Sequence, residues 1–380
     1  MNFSYSEEQQ MLQDSVSKFI QQDYDFDTRR KITESPRGFS EENWNLFAEL
    51  GWLMVPFSEG DGGLGGSATD LIVVMEEFGK GMLVEPFLAT AVLGGGLIAE
   101  CGNDSQKEEL LAFIMGGELQ LAFAFTEPES RYELNNVTVT AERRGDEFIV
   151  NGAKSVVLNG EAADKLLVAV RTSGEQRDRD GISLLLIDAE ARGVRRRGYA
   201  TVDGQRAAEI SLDNVSVPAA CLLGEEGKAL PGIEKVIDRA TLAICAEAVG
   251  AMAVTLAKTV EYTKTRKQFG VPISKFQALQ HRMADMFIEV EQGRSILYMA
   301  AMQMDANGGV AQRAVSAAKS RIGAAARKVG QEAVQIHGGI GVTDELDVGH
   351  FFKRLTTFQF QFGSTDMHKL RFLNGESSAA

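Results

Sequence analysis

Cysteine is scarce in this chain of 380 residues, and the few cysteines present are scattered. Cys101, Cys221 and Cys245 form neither a Cys-x-x-Cys pair nor a cluster with histidines. This pattern excludes a disulfide framework and a structural zinc site, and no metal site is predicted. Sparse, unpaired cysteines are typical of a reducing compartment, so the sequence predicts a cytoplasmic location.

Positive charge is also in short supply. Lysine and arginine number 39 against 53 aspartates and glutamates, which gives a formal net charge of -14. Proteins that wrap nucleic acid need a basic stripe to neutralise the phosphate backbone. The charge balance therefore argues against nucleic acid as a partner.

The sequence has no apolar run of the length expected for a membrane span. Its longest run, Phe87 to Ala99, is glycine-rich and shorter than the roughly 20 residues that a bilayer requires. This run predicts a buried helix, and no membrane partner is predicted. Near the start of the chain, Ser6 to Gln9 form a capping box that opens an amphipathic helix. A signal peptide has a different pattern, with basic residues before an uninterrupted apolar core.

What the sequence does contain is ordinary globular composition, with 44% hydrophobic and 24% charged residues, and length for two or three domains. Residues 1–117 predict an N-terminal helical domain. Residues 118–225 contain short β-branched segments between turn residues, which predict a middle antiparallel β-barrel. Residues 226–380 return to long helical patterns with short connections, which predict a C-terminal four-helix bundle. The predicted fold class is α+β and multidomain.

The most distinctive segment is a predicted corner between two of these helices, Tyr262 to Asp285. Arg266 and Phe269 stand at the end of one helical pattern, and Pro272 blocks its continuation because proline lacks an N–H. A second helical pattern begins near Phe276. A tight corner that carries an arginine, an aromatic residue and glutamines suits a planar, phosphate-bearing cofactor.

Four other segments each have an ordinary and a functional interpretation. Thr126 to Pro128 is a turn after an apolar strand, whose amides either end the strand or serve acceptors on a flavin ring. Asn151 to Lys154 predicts a two-residue hairpin with a solvated lysine. Gln335 to Gly341 is either a helix C-cap or a glycine turn whose amides and His337 approach a phosphate. Phe362 to His368 contains Ser364 or Thr365 as the N-cap of a last helix.

Together, these segments resemble the acyl-CoA dehydrogenase family in their order and spacing. Asp213 to Pro218 and Leu223 to Gly227 resemble the junction between the barrel and the bundle in that family. The resemblance covers essentially the whole chain. Within the family, the stretches RKQFG, QALQHRMADM, HGGIG and DVGHFFKRLT are most similar to the pimeloyl-CoA dehydrogenase small subunit type.

The resemblance implies FAD as the cofactor and a tetramer with the flavin at a subunit interface. By position, four sets of residues are implied to contact FAD. They are Phe123, Phe125 and Thr126 along the flavin ring, Arg266, Phe269 and Gln277 at the adenosine diphosphate, and Gln335, His337, Gly338 and Gly339 at the pyrophosphate, with Thr365 and Met367 making the last contacts. Asp238 and Thr241 are implied to bind the substrate.

The reaction that the resemblance implies is α,β-desaturation of an acyl-CoA thioester. In the family, a carboxylate removes the α-proton while the β-hydrogen leaves as hydride to flavin N5. Donors to the thioester carbonyl stabilise enolate character, and a dry pocket raises the pKa of the base. An electron-transferring flavoprotein is the implied partner for reoxidation.

The chain departs from the family where the base is expected. Most members place a glutamate just before a Gly-Thr pair in the last turn, and the matching position is Gly363. Others place it on the first bundle helix, where gap-free counting gives Ala240, with Thr241 at the position of a neighbouring arginine. In the barrel, Val156 and Leu158 replace the aromatic and hydroxyl residues that usually contact the flavin. Arg131 to Glu133 replaces a Gly-Ser-Asp that helps hold the phosphopantetheine.

Three acids are candidates to substitute. Glu247 lies seven residues beyond Ala240, on the same helix face and in apolar company, which would raise its pKa. The alternative for Glu247 is an ion pair with a lysine or arginine of a neighbouring helix. Asp238 fits a substrate contact better, and Asp366 is expected to face the cofactor loop.

Four functions follow as hypotheses. The chain is an FAD-dependent acyl-CoA dehydrogenase subunit, in a homotetramer or an α2β2 heterotetramer with a second acyl-CoA dehydrogenase subunit. The second hypothesis is that the chain is a catalytically incomplete partner subunit. The lack of an acid at both Ala240 and Gly363 favours it. A DNA-binding paralogue is disfavoured by the net charge. An oxygen-using oxidase or monooxygenase would be recognised by peroxide formation.

Overall fold

The computed structural model describes residues 5–375 of the chain. They fall into two compact units, each built from separate stretches of sequence. Of the described residues, the helical unit takes in 5–31, Ala68–Leu83 and 241–375, and the sheet unit takes in Ile32–Ser67 and Val84–Ala240. The predicted three-domain division, 1–117, 118–225 and 226–380, is a separate hypothesis about the same chain.

Helices dominate both ends of the described chain. In chain order the α-helices are α1 (Glu7–Asp23), α2 (Phe26–Glu34), α3 (Glu41–Glu49), α4 (Ala68–Gly81), α5 (Gly96–Cys101), α6 (Asp104–Met115), α7 (Leu230–Thr265), α8 (Gln277–Ala306), α9 (Gln312–His337), α10 (Asp347–Phe358) and α11 (Thr365–Asn374). Helix α1 begins with the predicted capping box, in which the Ser6 side chain accepts from the amide of Gln9. The long helices α7, α8 and α9 confirm the predicted bundle.

The strands form one eight-stranded sheet and one small hairpin. They are β1 (Leu121–Ala124), β2 (Thr140–Arg144), β3 (Glu147–Leu158), β4 (Lys165–Arg171), β5 (Ile182–Asp188), β6 (Val194–Ala200), β7 (Arg206–Pro218), β8 (Leu222–Leu223), β9 (Lys267–Gln268) and β10 (Val271–Pro272). The large sheet runs β6-β7-β3-β2-β4-β5-β8, with β1 also beside β4. Alternate apolar side chains of these strands form its buried core.

The predicted fold class is confirmed, with helical N-terminal and C-terminal parts around a β-rich middle. The predicted antiparallel arrangement holds for most strand pairs but needs a correction at β4. Strands β1 and β2 both pair with β4 in parallel. A parallel pair needs a long crossover, and the chain between β1 and β4 supplies it with the β2–β3 hairpin.

The Asn151–Gly152 pair is not a hairpin turn, so that prediction is wrong. Both residues lie inside β3, which continues to Leu158. The pairing of β3 with β7 shifts register between Val150 and Gly152, and Gly152 has a φ of 138°. The side chain of Asn151 accepts from the amide of Asn214 on β7 at 2.8 Å. One residue of β3, Asn151, thus lies opposite two residues of β7, so the Asn-Gly signal marks a β-bulge whose extra residue belongs to β7.

The longest apolar run is a buried helix, as predicted, although its first part is a π-helix, Leu88–Gly95, continuous with α5. All of its π-helical residues are buried. In the part of the chain that the structure describes, α7 is the one helix long and apolar enough to cross a membrane, and 78% of its most apolar window is buried inside the protein. Core helices of globular proteins pass the same test, so this is weak evidence of a membrane span.

Helices α4 and α7 cross in the helical unit at unusually close range. A Cβ atom on Gly79 of α4 would overlap the backbone of Glu247, and a Cβ on Gly250 of α7 would overlap the backbone of Glu76. The close crossing therefore requires both glycines, because each allows the backbone of the opposite helix to approach. At the start of α4, the amides of Ala68 and Thr69 donate to the carboxylate of Asp305 on α8.

Candidate functional site

The predicted ring-facing segment lies at the end of β1 in the sheet unit. The rings of Phe123 and Phe125 stack, with centroids 4.9 Å apart and an interplanar angle of 24°. The carbonyl oxygen of Thr126 accepts from the amide of Ser155 on β3 at 2.8 Å. Within residues 5–375, the N–H and the hydroxyl of Thr126 have no hydrogen-bond partner. This segment therefore offers two donors beside an aromatic pair.

A buried ion pair, Lys154 with Glu127, lies next to the segment from Phe123 to Thr126. Lys154 donates to the carboxylate of Glu127 at 2.6 Å, and neither side chain is more than 3% exposed. Burial lowers the pKa of Lys154 against the opposing attraction of Glu127. Burial alone would raise the pKa of Glu127, but Lys154 and bonds from Thr138 outweigh it and hold the pKa below its ordinary value. The prediction of a solvated Lys154 is wrong.

Val156 stands at the position where the sequence predicts the loss of an aromatic residue that would stack on the flavin. Its side chain is exposed and its backbone is strained. Val156 is 53% exposed and has a φ of 53°, a region that β-branched residues rarely enter. The pairing of β3 with β7 is interrupted between Lys154 and Val157. A bulge therefore turns Val156 outward, while Leu158 is half-buried at the end of the strand.

In the helical unit, the corner between α7 and α8 is a two-residue hairpin. Strands β9 and β10 pair antiparallel, and the turn residues Phe269 and Gly270 have φ values of 53° and 82°. Positive φ at both positions is the signature of a type I′ turn, in which asparagine and glycine are usual. Phe269 is nevertheless 92% exposed. Arg266 and Gln277 are also exposed on this arm.

The glycine turn after α9 is held to the same corner from within the unit. His337 is buried, its Nδ1 atom lies 2.8 Å from the carbonyl oxygen of Ala333, and its ring stacks on Tyr262 at 4.3 Å. The hydroxyl of Tyr262 donates to the carbonyl oxygen of His337 at 3.2 Å. Burial lowers the pKa of His337. The ring thus fixes the turn from inside rather than standing among its exposed groups.

The exposed part of that turn is backbone. Gly338 and Gly339 are exposed, and a Cβ on either would meet nothing within 4 Å. Gly338 has a φ of 66°, which favours glycine. Gln335 is exposed in the last turn of α9. The Tyr262 contacts therefore bring the arginine corner and the glycine turn together in one unit, and their binding of a diphosphate stays a prediction.

The last turn, before α11, contains no acid. Ser364 is its N-cap and accepts from the amide of Met367 at 3.2 Å, which confirms one of the two predicted caps. Gly363 is buried with a φ of 123°. Phe362, the residue directly before it, also lacks a carboxylate, so the absence does not depend on which of the two matches the usual glutamate. Thr365 and Met367 are half-buried at the start of α11.

Three family models match the chain in order. They are the acyl-CoA dehydrogenase N-terminal domain over residues 6–118, the middle domain over 122–215 and the C-terminal domain over 231–374. Similar proteins include the probable acyl-CoA dehydrogenase YngJ of Bacillus subtilis (strain 168), which is 30% identical over 97% of this chain and 98% of its own length.

This chain belongs to the acyl-CoA dehydrogenase family.

Solved structures of similar proteins agree with this assignment of an acyl-CoA dehydrogenase. The FAD complex of PigA has a TM-score of 0.92 at 26% identity, and 100% of both chains is covered. A chain of the ChsE4-ChsE5 complex from Mycobacterium tuberculosis has a TM-score of 0.89 at 25% identity, again over 100% of both chains. The fold and the oxidoreductase class predicted from the sequence are therefore confirmed.

FAD is the cofactor of this family, and groups of this acyl-CoA dehydrogenase chain fit it. The N–H and the hydroxyl of Thr126, which have no hydrogen-bond partner among the described residues, are donors suited to ring acceptors. Gly338 and Gly339 leave open space beside exposed backbone, as close approach of a phosphate requires. Arg266 is exposed and able to donate to a diphosphate as a planar fork.

Glu247 is held in an ion pair, as the alternative interpretation predicted. Both of its carboxylate oxygens accept from the guanidinium of Arg354 on α10, each at 2.6 Å, and the pair is buried. A carboxylate engaged at both oxygens by a fixed cation is already neutralised and is poorly placed to take a proton from substrate. Glu247 is therefore not retained as the catalytic base of this acyl-CoA dehydrogenase.

The other predicted acids and substrate positions are distributed differently. Ala240 is fully buried on α7, and Asp238 and Thr241 on the same helix are buried as well. Asp366 is exposed and pairs with Lys369 at 3.2 Å on the surface of α11. Its ion pair and exposure argue against a role as a buried base.

Two buried basic residues beneath the last turn, Lys319 and His368, were missed from the sequence. Lys319 of α9 donates to the carbonyl oxygens of Phe358 at 2.7 Å and Gly363 at 3.1 Å. Burial lowers its pKa to about 8. His368 of α11 lies with Nε2 3.1 Å from the carbonyl oxygen of Phe362. A lysine on the inward-facing stripe of an alanine-rich helix was the available signal, because such a stripe is otherwise apolar.

The buried His368 predicts a loss of stability in acid. Burial lowers its pKa to about 4, against an ordinary 6.5, so the unfolded chain binds an extra proton between these values. The free energy of unfolding is expected to fall by about 3 kcal/mol from this residue as pH drops from 6.5 to 4. Denaturant unfolding of the wild type and His368→Gln across this range measures the effect. Parallel pH profiles for the two proteins would contradict it.

Proposed function

We propose that this chain carries out FAD-dependent α,β-desaturation of an acyl-CoA thioester as one subunit of an α2β2 heterotetramer. When bound, FAD supplies the acceptor for the hydride that leaves the β-carbon. Thr126 donates to the flavin ring and orients it, beside Phe123 and Phe125. Two observations support this proposal: family membership, and the two donors of Thr126 that have no partner in the part of the chain that the structure describes.

The remaining cofactor contacts are assigned to the helical unit. Arg266, Phe269 and Gln277 bind the adenosine diphosphate part. The pyrophosphate lies against the open backbone at Gly338 and Gly339, where the Gly338 amide already donates to carbonyl oxygens of the last turn of α9. Gln335, His337, Thr365 and Met367 complete the set, with His337 acting through the turn that it fixes from within. Asp238 and Thr241 remain the proposed substrate contacts, and both are buried on α7.

The absence of a carboxylate at either usual base position is the observation that carries the heterotetramer. Gly363 adopts a glycine-favoured φ of 123°, and Ala240 has no exposed surface at all. Glu247 is engaged by Arg354. A companion subunit that supplies the base explains this pattern. The ChsE4-ChsE5 complex, one chain of which has this fold, supports the pairing of two different chains.

The same observation favours a second candidate, a catalytically incomplete partner that supports FAD or the assembly alone. The stretches that resemble the pimeloyl-CoA dehydrogenase small subunit type support a dicarboxylyl, aromatic or otherwise bulky thioester as the substrate of the complex.

Three further proposals accompany this function. An electron-transferring flavoprotein is the proposed electron acceptor, and the cytoplasm is the proposed location. The chain is proposed to divide into the three domains predicted from the sequence.

Purification of the chain alone and with its companion separates these functions. We expect a yellow protein whose flavin absorbance is bleached anaerobically by pimeloyl-CoA when the companion is present. A yellow chain that is bleached without a companion would show that it has its own base. A colourless chain that only increases the yield or activity of the companion would favour the incomplete partner.

Phe269→Asn is expected to weaken FAD binding without destabilising the chain. Asparagine tolerates the positive φ at this turn, so the free energy of unfolding should rise by about 1 kcal/mol or stay unchanged. The FAD dissociation constant should increase about tenfold, because stacking area on the exposed arm is lost. Denaturant unfolding and flavin titration measure the two effects. Phe113→Asn, at another exposed phenylalanine, is the matched control and should leave FAD affinity unchanged.

A further inference from the structure

The Lys154–Glu127 ion pair makes more contacts with backbone than a pair that only fills space needs. Nζ of Lys154 donates to Glu127 Oε1 at 2.6 Å and to the carbonyl oxygen of Phe125 at 3.4 Å. The same carboxylate accepts from the amides of Thr138 and Val139 at 2.8 and 3.2 Å, and from the hydroxyl of Thr138. The pair thus joins β3, the turn at Phe125 and the start of β2.

The turn held in this way is the one that leaves the sheet. Strand β1 pairs with β4 only as far as Ala124, which lies opposite Val168. Beyond Ala124, Phe125 is held by Lys154 and Thr126 by the amide of Ser155, the next residue along β3. Two consecutive residues of β3 therefore fix two consecutive carbonyl groups of the turn. Their bonds set where the free donors of Thr126 point.

Burial of such a pair is an expensive way to stabilise a sheet. Removing both charges from water costs free energy that the mutual attraction repays only in part, and apolar side chains of similar volume often give equal stability. Neighbouring positions of the same sheet use that apolar solution, as with Val150 and Val157, which are almost fully buried. A buried ion pair at this one place is better explained by the geometry that it imposes on the turn.

We propose that Lys154 and Glu127 form a positioning pair that holds Phe125 and Thr126 against the flavin ring. This inference rests on the proposed FAD function and deepens it. Both side chains are almost fully buried, so the pair is assigned an indirect role rather than a contact with the flavin. The pair acts through the turn, by keeping the Thr126 amide and hydroxyl aligned with acceptors on the ring.

The test removes the lysine and follows flavin binding. In Lys154→Met, the FAD dissociation constant is expected to rise about tenfold or more, because the turn loses its anchor and Glu127 is left buried without its cation. Hydrogen exchange of the segment around Phe125 and Thr126 should become faster in the chain without flavin. The absorbance band of the remaining bound flavin should shift, since its hydrogen bonds change.

A double variant separates positioning from stability. Lys154→Met combined with Glu127→Gln removes both buried charges, so the stability lost in Lys154→Met should be largely recovered. FAD affinity should stay weakened, because the bond to the Phe125 carbonyl is still missing. Leu185→Ala, a truncation in the core of the same sheet, is the control: it lowers stability but should leave exchange at the turn and FAD affinity unchanged.

Several results would overturn the inference. If wild type binds FAD and the Lys154 variants bind it equally well with an unchanged spectrum, the pair does not position the ring. If FAD affinity follows stability across all variants, including Leu185→Ala, the pair is only structural. If wild type itself binds no FAD, the proposed function fails, and the exchange measurement still decides whether the pair holds the turn. If Lys154→Met does not fold, the double variant, which lacks the same bond to Phe125 but leaves no unpaired buried charge, gives the same comparison.

Discussion

Gly250→Ala is expected to lower the free energy of unfolding by at least about 3 kcal/mol, because overpacking at a backbone crossing forces the helices apart. The added methyl group would overlap the backbone of Glu76 on α4. The reciprocal variant Gly79→Ala, whose methyl group would overlap the backbone of Glu247, should have a similar effect. Denaturant unfolding, or the yield of soluble protein where folding fails, measures the loss.

Gly293→Ala provides the matched control for this crossing. Gly293 is also a buried helical glycine, on α8, but a Cβ there would lie in ordinary contact, 3.5 Å from Met252. Alanine is favoured over glycine in helices by roughly 1 kcal/mol, so this variant should be neutral or more stable. Equal losses in Gly250→Ala and Gly293→Ala would show that glycine is not selected by the crossing.

Arg354→Met is expected to cost about 3–5 kcal/mol, the typical range when one partner of a buried ion pair is removed. The substitution leaves the Glu247 carboxylate buried without the two bonds, each 2.6 Å, that it receives from Arg354. Glu247→Gln should be milder, because the amide still accepts from the guanidinium. Unfolding by denaturant gives both values, and Arg144→Met, at an exposed ion pair, should be nearly silent.

The Glu247→Gln variant also decides whether Glu247 acts as the base. Turnover per folded, flavin-loaded complex is expected to be unchanged in Glu247→Gln when the companion subunit is present. A loss of three or more orders of magnitude in turnover with intact FAD binding would restore Glu247 as the base. Measuring stability and turnover on the same preparations keeps the two roles separate.

Periodic patterns predicted the fold well where local sequence and tertiary packing agree. The capping box at Ser6 and the long helices α7, α8 and α9 have strong local signals, and all are present. The Asn-Gly pair at Asn151 failed because long-range pairing of β3 with β7 overrides a two-residue turn preference. A bulge and a hairpin share the same local signal, and only the partner strand distinguishes them.

The structural elements of the candidate site could be predicted from the sequence, but the contacts that support them could not. The turn between α7 and α8 and the glycine turn after α9 are present, and Tyr262 connects them through contacts that no local pattern predicts. Their binding of a diphosphate stays a prediction. Lys154 was assigned to solvent, although it shares the alternation of Phe148 and Val150, which are both buried. Lys319 was overlooked because its acceptors lie on α10 and in the last turn, far along the chain.

Regaining an acid at the last turn would demand several coordinated changes. At Gly363 any side chain must adopt a φ of 123°, and its first carbon would collide with Met367 and His368. A single Gly363→Glu replacement would therefore distort the loop before its carboxylate reached a substrate. Evolution, or a protein engineer, would first have to make room at both neighbours and rebuild the backbone. In the proposed heterotetramer, that barrier would favour a base supplied by the companion subunit.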